Sequence, residues 1–181
     1  MCIDPNYPEE REETHNGKSL RFVRDYSGVP CKLALMMDVL EHVDDDAGLL
    51  SHYARHLEPG GYVLITVPAF GFLWSGHDVF LEHRRRYTKK MLMETLAKAG
   101  FEPVKTRFFF ASLFLLIALI RLSKKILVNR GHLEAKSEMN KMPGLVNALL
   151  ILIHDIERVT IFPFNGLAGL SLFCLCRKKG S

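Results

Sequence analysis

The pattern of hydrophobic and polar positions is most regular over residues 32–68. Two short apolar runs, at residues 33–37 and 62–67, have the length and composition of buried strands. Between them, apolar residues recur at three- and four-residue spacing, which predicts a helix with one buried face. The residues of that face are Leu49, Leu50, Tyr53, Ala54 and Leu57. The stretch therefore predicts a strand–helix–strand crossover, the unit from which α/β sheets are built.

Caps and turns bound the predicted elements. Asp44 or Asp45 can accept hydrogen bonds from the free amides of the helix, and Gly60-Gly61 can supply the left-handed turn that ends it. Thr88 can cap a later helix that runs to Ala99. Other predicted segments are a charged connector at Glu9–Lys18, an edge strand at Leu20–Arg24, and strands at Phe101–Phe110 and Ser171–Cys176.

Polar side chains follow the first strand of the crossover. Asp38, Glu41 and His42 occupy a sharp turn after the apolar run 33–37. Ligands of open α/β sheets bind at the carboxyl ends of the strands. This turn is therefore a candidate binding edge.

These motifs, in their order and spacing, resemble class I S-adenosylmethionine-dependent methyltransferases. Asp38–Val43 followed by Leu57–Gly61 resembles the fourth-strand and fifth-strand motifs of that family, and the resemblance continues through residues 67–78, 83–88 and 99–101. It implies a Rossmann-like sheet with strand order 3-2-1-4-5-7-6, in which strand 7 is antiparallel. It also implies S-adenosylmethionine as the cofactor and a methyl group as the transferred group.

The chain departs from the family pattern at its start. Family members open with a strand and a glycine-rich turn, whereas Met1–Asp4 resembles their second strand and the sequence has no Gly-x-Gly at such a turn. We interpret the chain as an amino-terminally truncated domain, with a natural short form as the alternative. The predicted fold is α/β: a Rossmann-like sheet lacking its first strand, with a gap between Met1–Asp4 and Leu33–Met37 and an apolar helical insertion before the last strand. It would form one domain over 1–181, with its core at 1–106 and 170–177 and the insertion at 108–169.

Charge is distributed unevenly along the 181 residues. Residues 1–106 carry a net charge of −3 and residues 107–181 a net charge of +7, with histidine neutral. A solvated basic face is one explanation; since the basic half also holds the apolar runs, we favour contact with an anionic membrane surface. No nucleic-acid partner is expected, because the cations lie among aliphatic residues. The four cysteines lack zinc-ligand spacing, so no metal is expected, and reduced thiols indicate a cytoplasmic protein, peripheral at the membrane in the favoured interpretation.

Two apolar runs lie in the insertion. Residues 108–120 contain one polar residue in 13, but 13 helical residues reach only roughly 20 Å, less than the roughly 30 Å of a bilayer core. Leu145–Ile153 is shorter still. The two runs could form a hairpin in the membrane interface, a lid over the substrate site, or a hairpin packed on the protein's own core.

The resemblance assigns cofactor contacts to five residues. Asp4, the acid after strand 2, would accept the ribose hydroxyls, and Asp25, after strand 3, matches the position that receives the adenine amino group. Met36, Met37 and Asp38 lie where the methionine part of the cofactor passes. The alternative for each carboxylate is a turn or cap role.

Three histidines are candidate catalytic groups, because a neutral imidazole can remove a hydroxyl proton near pH 7. They are His42, His77 and His83. The following run Arg84, Arg85, Arg86 and Tyr87 is the candidate substrate-binding segment, since guanidinium groups bind phosphate or carboxylate. A structural role for each histidine, and a solvated cluster or a clamp on Asp44–Asp46 for the arginines, are the alternatives.

Three functions compete at this stage. The first is methyl transfer to a small-molecule or lipid-linked acceptor. The second is a non-catalytic relative that binds a membrane or partner through its basic apolar half. The third, another nucleotide-binding α/β enzyme such as a dehydrogenase, is disfavoured by the motifs after strand 4.

Overall fold

The computed structural model describes residues 1–26, 28, 30–127, 137 and 142–180, and it contains two separate sheets. The smaller sheet has three strands, β1 (Cys2–Ile3), β2 (Arg11–His15) and β3 (Lys18–Val23), in the order β1-β3-β2. β1 is parallel to β3, and β2 is antiparallel to it.

The prediction of a charged connector at Glu9–Lys18 is wrong over most of that range. Residues Arg11–His15 form β2, which pairs with β3 across a two-residue turn. Asn16 and Gly17 in that turn have φ values of 51° and 73°, as hairpin turns of this length require. β2 is fully exposed, so its strand conformation comes from backbone pairing and left no hydrophobic period to detect.

The larger sheet has the strand order β4-β5-β7-β6. β4 (Cys31–Met37) is parallel to β5 (Leu57–Pro68), while β7 (Ser171–Lys178) runs antiparallel to both β5 and β6 (Phe101–Phe109). The order 4-5-7-6 and the antiparallel last strand confirm the predicted Rossmann-like sheet. β1 and β4 belong to different sheets, which agrees with the expected gap in the strand order.

Two helices cover one face of the larger sheet. α1 (Asp46–Ala54) contributes Leu50 and α3 (Lys89–Lys98) contributes Leu92 to a core that includes strand residues such as Ile65. The 3₁₀ turn Gly71–Leu73 and the short helix α2 (Gly76–Phe80) lie between them in the chain, and a second 3₁₀ turn, Leu40–His42, precedes α1. On the opposite face, alternate β4 side chains stay exposed: Leu33 52%, Leu35 61% and Met37 46%.

The helix caps agree with the sequence in two of three cases. Asp45 accepts a hydrogen bond from the Gly48 amide at 2.8 Å, and Thr88 accepts one from the Met91 amide at 3.2 Å. Gly60 does not end α1. The helix ends at Ala54, and Gly60, with φ 72°, lies within β5.

The insertion contains α4 (Ala111–Leu127) and α5 (Gly144–Thr160). The Glu157 carboxylate of α5 is 1% exposed and accepts hydrogen bonds from the amides of Ala111 and Ser112 at 2.6 and 3.2 Å, so it caps the first turn of α4. Arg121 of α4 donates to the Leu73 carbonyl at 2.8 Å, which joins the insertion to the turn after β5.

Much of the apolar surface of the insertion is not packed on the core. The most exposed apolar residues of α4 and α5 are Leu115, Leu116, Leu119, Leu145, Leu149, Ile151, Leu152, Ile156 and Val159. These side chains are exposed, while other parts of α4 contact the turn after β5. In the described part of the chain, no helix combines the length and hydrophobicity that membrane crossing requires.

Candidate functional site

The candidate site begins where β4 ends beside β5. Asp38 has φ 53°, and its amide donates to both the carbonyl and the Oγ1 atom of Thr66 at 3.0 Å. Thr66 Oγ1 donates in turn to Asp38 Oδ1 at 3.1 Å. Thr66 is buried in β5, so these contacts fix the turn at the carboxyl edge of two parallel strands.

Glu41 follows in the 3₁₀ turn and is fully buried. Neither of its carboxylate oxygens has a hydrogen-bond partner by distance and angle among the described residues. Burial raises the pKa of Glu41 to about 7; its own amide and the Arg86 guanidinium lower it in part, while the Asp38 carboxylate adds to the rise. A buried carboxyl group without partners is costly, so Glu41 needs an explanation.

His83 reaches the same place from the segment after α2. Its Nδ1 atom lies 3.0 Å from Asp78 Oδ1, which also accepts from Arg86 Nε at 2.7 Å. The second oxygen of Asp78 accepts from the Ser75 amide at 2.8 Å. Burial alone would raise the pKa of Asp78, but the contacts with Arg86, His83 and Ser75 hold it below its ordinary value. Asp78 is therefore an ionised anchor that orients the His83 ring.

His42 completes a compact group with Glu41 and His83. The two imidazole rings meet edge to face with centroids 4.8 Å apart. One ligand atom from each of the three residues lies within 4.8 Å of those of the other two. Partial burial lowers the pKa of His42, and the neighbouring His83 lowers it further, against the opposite effects of Asp38 and Glu82. The imidazole of His42 is thus biased towards its neutral form.

The structure brings together Asp38, His42 and His83 of the predicted site, but not His77. His77 belongs to α2, where its ring stacks on Phe80 at 6.4 Å, and it is not part of the three-residue group. Glu41 was placed at the candidate binding edge but was assigned no role, and Asp78 was missed as a site residue. The spacing Ser75-x-x-Asp78, which forms a capping box at α2, was a sequence signal for the placement of Asp78.

The predicted substrate-binding run divides into four different environments. Tyr87 is fully buried and donates from its hydroxyl towards Asp46 Oδ2 at 2.7 Å, so the prediction that it contacts a substrate is wrong. Arg86 is also buried, between Asp78 and the Ala69 carbonyl. Arg85 donates to the carbonyls of Val43 and Asp44, which is the clamp on the acidic run given as an alternative. Arg84, with 59% of its side chain exposed, is accessible to a ligand.

The predicted cofactor residues lie at strand ends. Asp4 and Asp25 follow the parallel strands β1 and β3 at the same end. Burial raises the pKa of Tyr53 in α1, and the Asp25 and Asp4 carboxylates raise it further, so both lie within electrostatic reach of one phenol. The two carboxylates are therefore grouped at one end of the smaller sheet.

The strand 4 candidates differ in exposure. The Met36 side chain is 6% exposed and packs in the core, whereas Met37 is 46% exposed on the opposite face. Of the three, Met37 and Asp38 are exposed and Met36 is buried. The five cofactor assignments stay predictions.

Comparison with known families identifies the class of protein. A family model described as a methyltransferase domain matches residues 2–106. This is more than half of the chain, and the chain therefore belongs to that family. The resemblance to class I S-adenosylmethionine-dependent methyltransferases is confirmed, and S-adenosylmethionine is the family's cofactor.

Several solved structures are similar to this chain at low identity. The [4+2]-cyclase SpnF is 17% identical (TM-score 0.46, 86% of this chain and 52% of that one). An S-adenosylmethionine-dependent methyltransferase of Thermotoga maritima is 19% identical (TM-score 0.45, 82% and 56%). Phosphoethanolamine N-methyltransferase 2 of Haemonchus contortus, in complex with S-adenosyl-L-methionine, is 19% identical (TM-score 0.46, 87% and 37%). The chain thus spans about half the length of the first two. No curated protein sequence matches it.

Proposed function

We propose that this protein is an S-adenosylmethionine-dependent methyltransferase domain acting on a small-molecule or lipid-linked acceptor. The observation that carries the proposal is the group of Asp38, Glu41, His42 and His83 at the carboxyl edge of β4 and β5, in a chain whose family is defined by methyl transfer. Ligands of open α/β sheets bind at that edge. S-adenosylmethionine, when bound, supplies an electrophilic methyl group.

The residues of the chain would position the two reactants, which is the main requirement of a direct methyl transfer. Asp4 and Asp25 would hold the ribose and adenine parts, and Asp38, fixed by Thr66, would face the methionine part. Arg84 lies beside the cluster, because its amide donates to the Glu41 carbonyl at 2.6 Å, and its exposed side chain can bind an anionic group of the acceptor.

A lipid-linked acceptor is supported by the insertion. α4 packs on the Gly71–Leu73 turn, which directly follows the strand that borders the site, and Phe114 of α4 contacts Phe70 at 5.5 Å. The insertion also exposes large apolar side chains; Leu145 is 86% and Leu167 88% exposed. Exposed apolar patches of this kind mark lipid or partner contacts. The matching localisation is the cytoplasmic surface of a membrane.

The second candidate is a non-catalytic relative that uses the same apolar surface to bind a membrane or partner. It is favoured by the size of that surface alone and makes no use of Glu41, His42 or His83. Methyl transfer distinguishes the two candidates, because only the first predicts a labelled product.

The test is transfer of tritium from methyl-labelled S-adenosylmethionine to a membrane lipid extract and, separately, to an aqueous metabolite extract. We expect labelled product in one of them, and at least tenfold less with His42→Ala. The matched control is His15→Gln, a change at an exposed histidine of β2. Product formed equally by both variants would refute the proposed site; no product from either extract would favour the non-catalytic alternative.

A further inference from the structure

Three side chains in the structure have the chemistry of a metal-binding group. Glu41 offers a carboxylate oxygen, and His42 and His83 each offer a ring nitrogen, with no two of the three ligand atoms more than 4.8 Å apart. A carboxylate and two imidazoles form a donor set that first-row divalent ions prefer. The three residues come from two segments about forty positions apart in sequence, so no short sequence motif indicated that they lie together.

The buried carboxylate is the independent observation that points to a ligand. Glu41 is completely buried, yet both of its oxygens lack a hydrogen-bond partner among the described residues. Buried carboxyl groups in proteins are normally paired, hydrogen-bonded or bound to a metal ion. The Arg86 guanidinium, which acts on Glu41 electrostatically, binds Asp78 and the Ala69 carbonyl. A cation between Glu41 and the two imidazoles would satisfy this carboxylate.

The surroundings of His83 match those of a metal ligand. Asp78 Oδ1 lies 3.0 Å from Nδ1, which fixes the proton on that nitrogen and leaves Nε2 as the lone-pair donor. A carboxylate that orients a histidine through its second nitrogen is the usual outer contact of metal-bound imidazole. Asp78 is itself held by Arg86 at 2.7 Å and by the Ser75 amide at 2.8 Å, so the ring is oriented before any ion binds.

Geometry and charge are compatible with closure around an ion. Donors that bind at about 2.1 Å stand roughly 3–3.5 Å apart around one ion, so the outermost pair here must approach by about 1–2 Å. His42 is on the exposed side and can move, while Glu41 and His83 are fixed by burial and by Asp78. The Asp38 carboxylate acts on both Glu41 and His42 and adds negative potential.

We propose that Glu41, His42 and His83 form a binding site for one first-row divalent metal ion, such as Zn²⁺ or Mn²⁺. Three protein ligands leave coordination positions of the ion open. Because His42 lies on the exposed side of the site, these open positions would face solvent. The site adjoins Asp38 at the edge where the cofactor is predicted to bind, so an oxygen of the acceptor is a suitable further ligand. That last link rests on the proposed methyl transfer; metal binding itself does not.

The test is calorimetric titration of the chelator-treated full chain with Zn²⁺ and with Mn²⁺, without cofactor or acceptor. We expect one ion per chain for at least one metal, with affinity at least tenfold weaker in Glu41→Gln and in His42→Ala. His15→Gln is the matched control and should bind as the parent does. Asp78→Asn should weaken binding by about 10–100-fold, since it removes the carboxylate that orients His83.

A thermal shift gives a second readout that does not depend on activity. An ion bound only by the folded state should raise the melting temperature of the parent and of His15→Gln, but not of Glu41→Gln. If a change at buried Glu41 impairs folding, the His42→Ala variant still tests the proposal, because His42 is exposed. The proposal is overturned if no ion binds in the micromolar range, or if Glu41→Gln and His42→Ala bind as tightly as the parent. Metal binding without methyl transfer would leave this site standing and refute only the proposed function.

Discussion

Removing the carboxylate of Glu157 should destabilise the insertion, because this single buried group caps α4 from α5. One oxygen accepts from the Ala111 amide at 2.6 Å, and the other accepts from the Ser112 amide at 3.2 Å and from the Ser112 hydroxyl. Burial by itself would raise the pKa of Glu157, but the contacts with Ser112 and Ala111 hold it below its ordinary value. The charged form is therefore the one that the fold stabilises.

The magnitude follows from these contacts. In Glu157→Gln, the remaining side-chain oxygen can still accept hydrogen bonds from Ser112. The new NH₂ group then faces the Ala111 N–H, and because both groups are donors this hydrogen bond is lost. Loss of one charge-assisted hydrogen bond and of the favourable charge at a helix N-terminus should cost about 2 kcal/mol. Glu157→Ala leaves both amides without their acceptor and should cost about 3 kcal/mol or more.

The assay is urea unfolding at pH 7, followed by circular dichroism and by fluorescence of Trp74, which adjoins the turn that α4 packs on. Asp155→Asn is the matched control. Asp155 lies on the same helix, 60% exposed and 3.5 Å from Arg158, so its change should alter stability by less than about 0.5 kcal/mol. Hydrogen exchange of the α4 amides should rise in the Glu157 variants alone.

The stabilisation by Glu157 should depend on pH in a direction set by its pKa shift. Because the pKa of Glu157 is lowered in the folded state, its contribution is present above the unfolded value of about 4.3 and is lost as the pH falls through the folded value. The difference between the parent and Glu157→Gln should therefore shrink below about pH 4. A loss under about 0.5 kcal/mol at pH 7, or an equal loss in Asp155→Asn, would refute the reasoning.

Three further predictions concern the core, the cofactor and the membrane. Tyr87→Phe removes the hydroxyl that donates towards Asp46 and should lower the free energy of unfolding by about 2 kcal/mol, as measured by urea titration; no change would show that the contact contributes nothing net. The 181-residue chain should bind S-adenosylmethionine only weakly, because its sequence lacks a glycine-rich turn after a strand, so the transfer assay above uses the cofactor in large excess; low-micromolar binding by calorimetry would contradict this. The chain should float with anionic liposomes, less so at high salt or with Lys124→Glu and Lys125→Glu, since each cation near the surface contributes about 1 kcal/mol; equal flotation in all conditions would contradict an interfacial mode.

Much of the larger sheet could be predicted because its signals are local. The apolar period at Leu49–Ala54, the cap at Asp45 and the cap at Thr88 each depend on residues a few positions apart, and the structure contains all three. Gly60 was misplaced because a left-handed glycine signals a turn without stating which element it ends. The strand β2 was missed because all of its residues are polar and exposed, so it has no apolar period to detect.

The site is only partly a property of local sequence. The order of residues along the chain placed Asp38 and His42 at the end of a predicted strand. The resemblance to methyltransferases then indicated that a cofactor would bind at this strand end. The local sequence did not encode whether an arginine or a tyrosine within four positions of His83 contacts a ligand or packs in the core. The structure buries Tyr87 against Asp46 and leaves Arg84 exposed.

By itself, the sequence determined the family, the crossover and the edge at which a ligand would bind, since periodicity, caps and motif order act over a few residues. Only the tertiary structure decided which distant groups meet. It set the buried carboxylate of Glu41 beside His42 and His83, and it placed Glu157, 46 residues away from Ala111 in sequence, over the first turn of α4. Such pairs depend on the path of the whole chain and on burial, which gives a polar group a partner or leaves it without one.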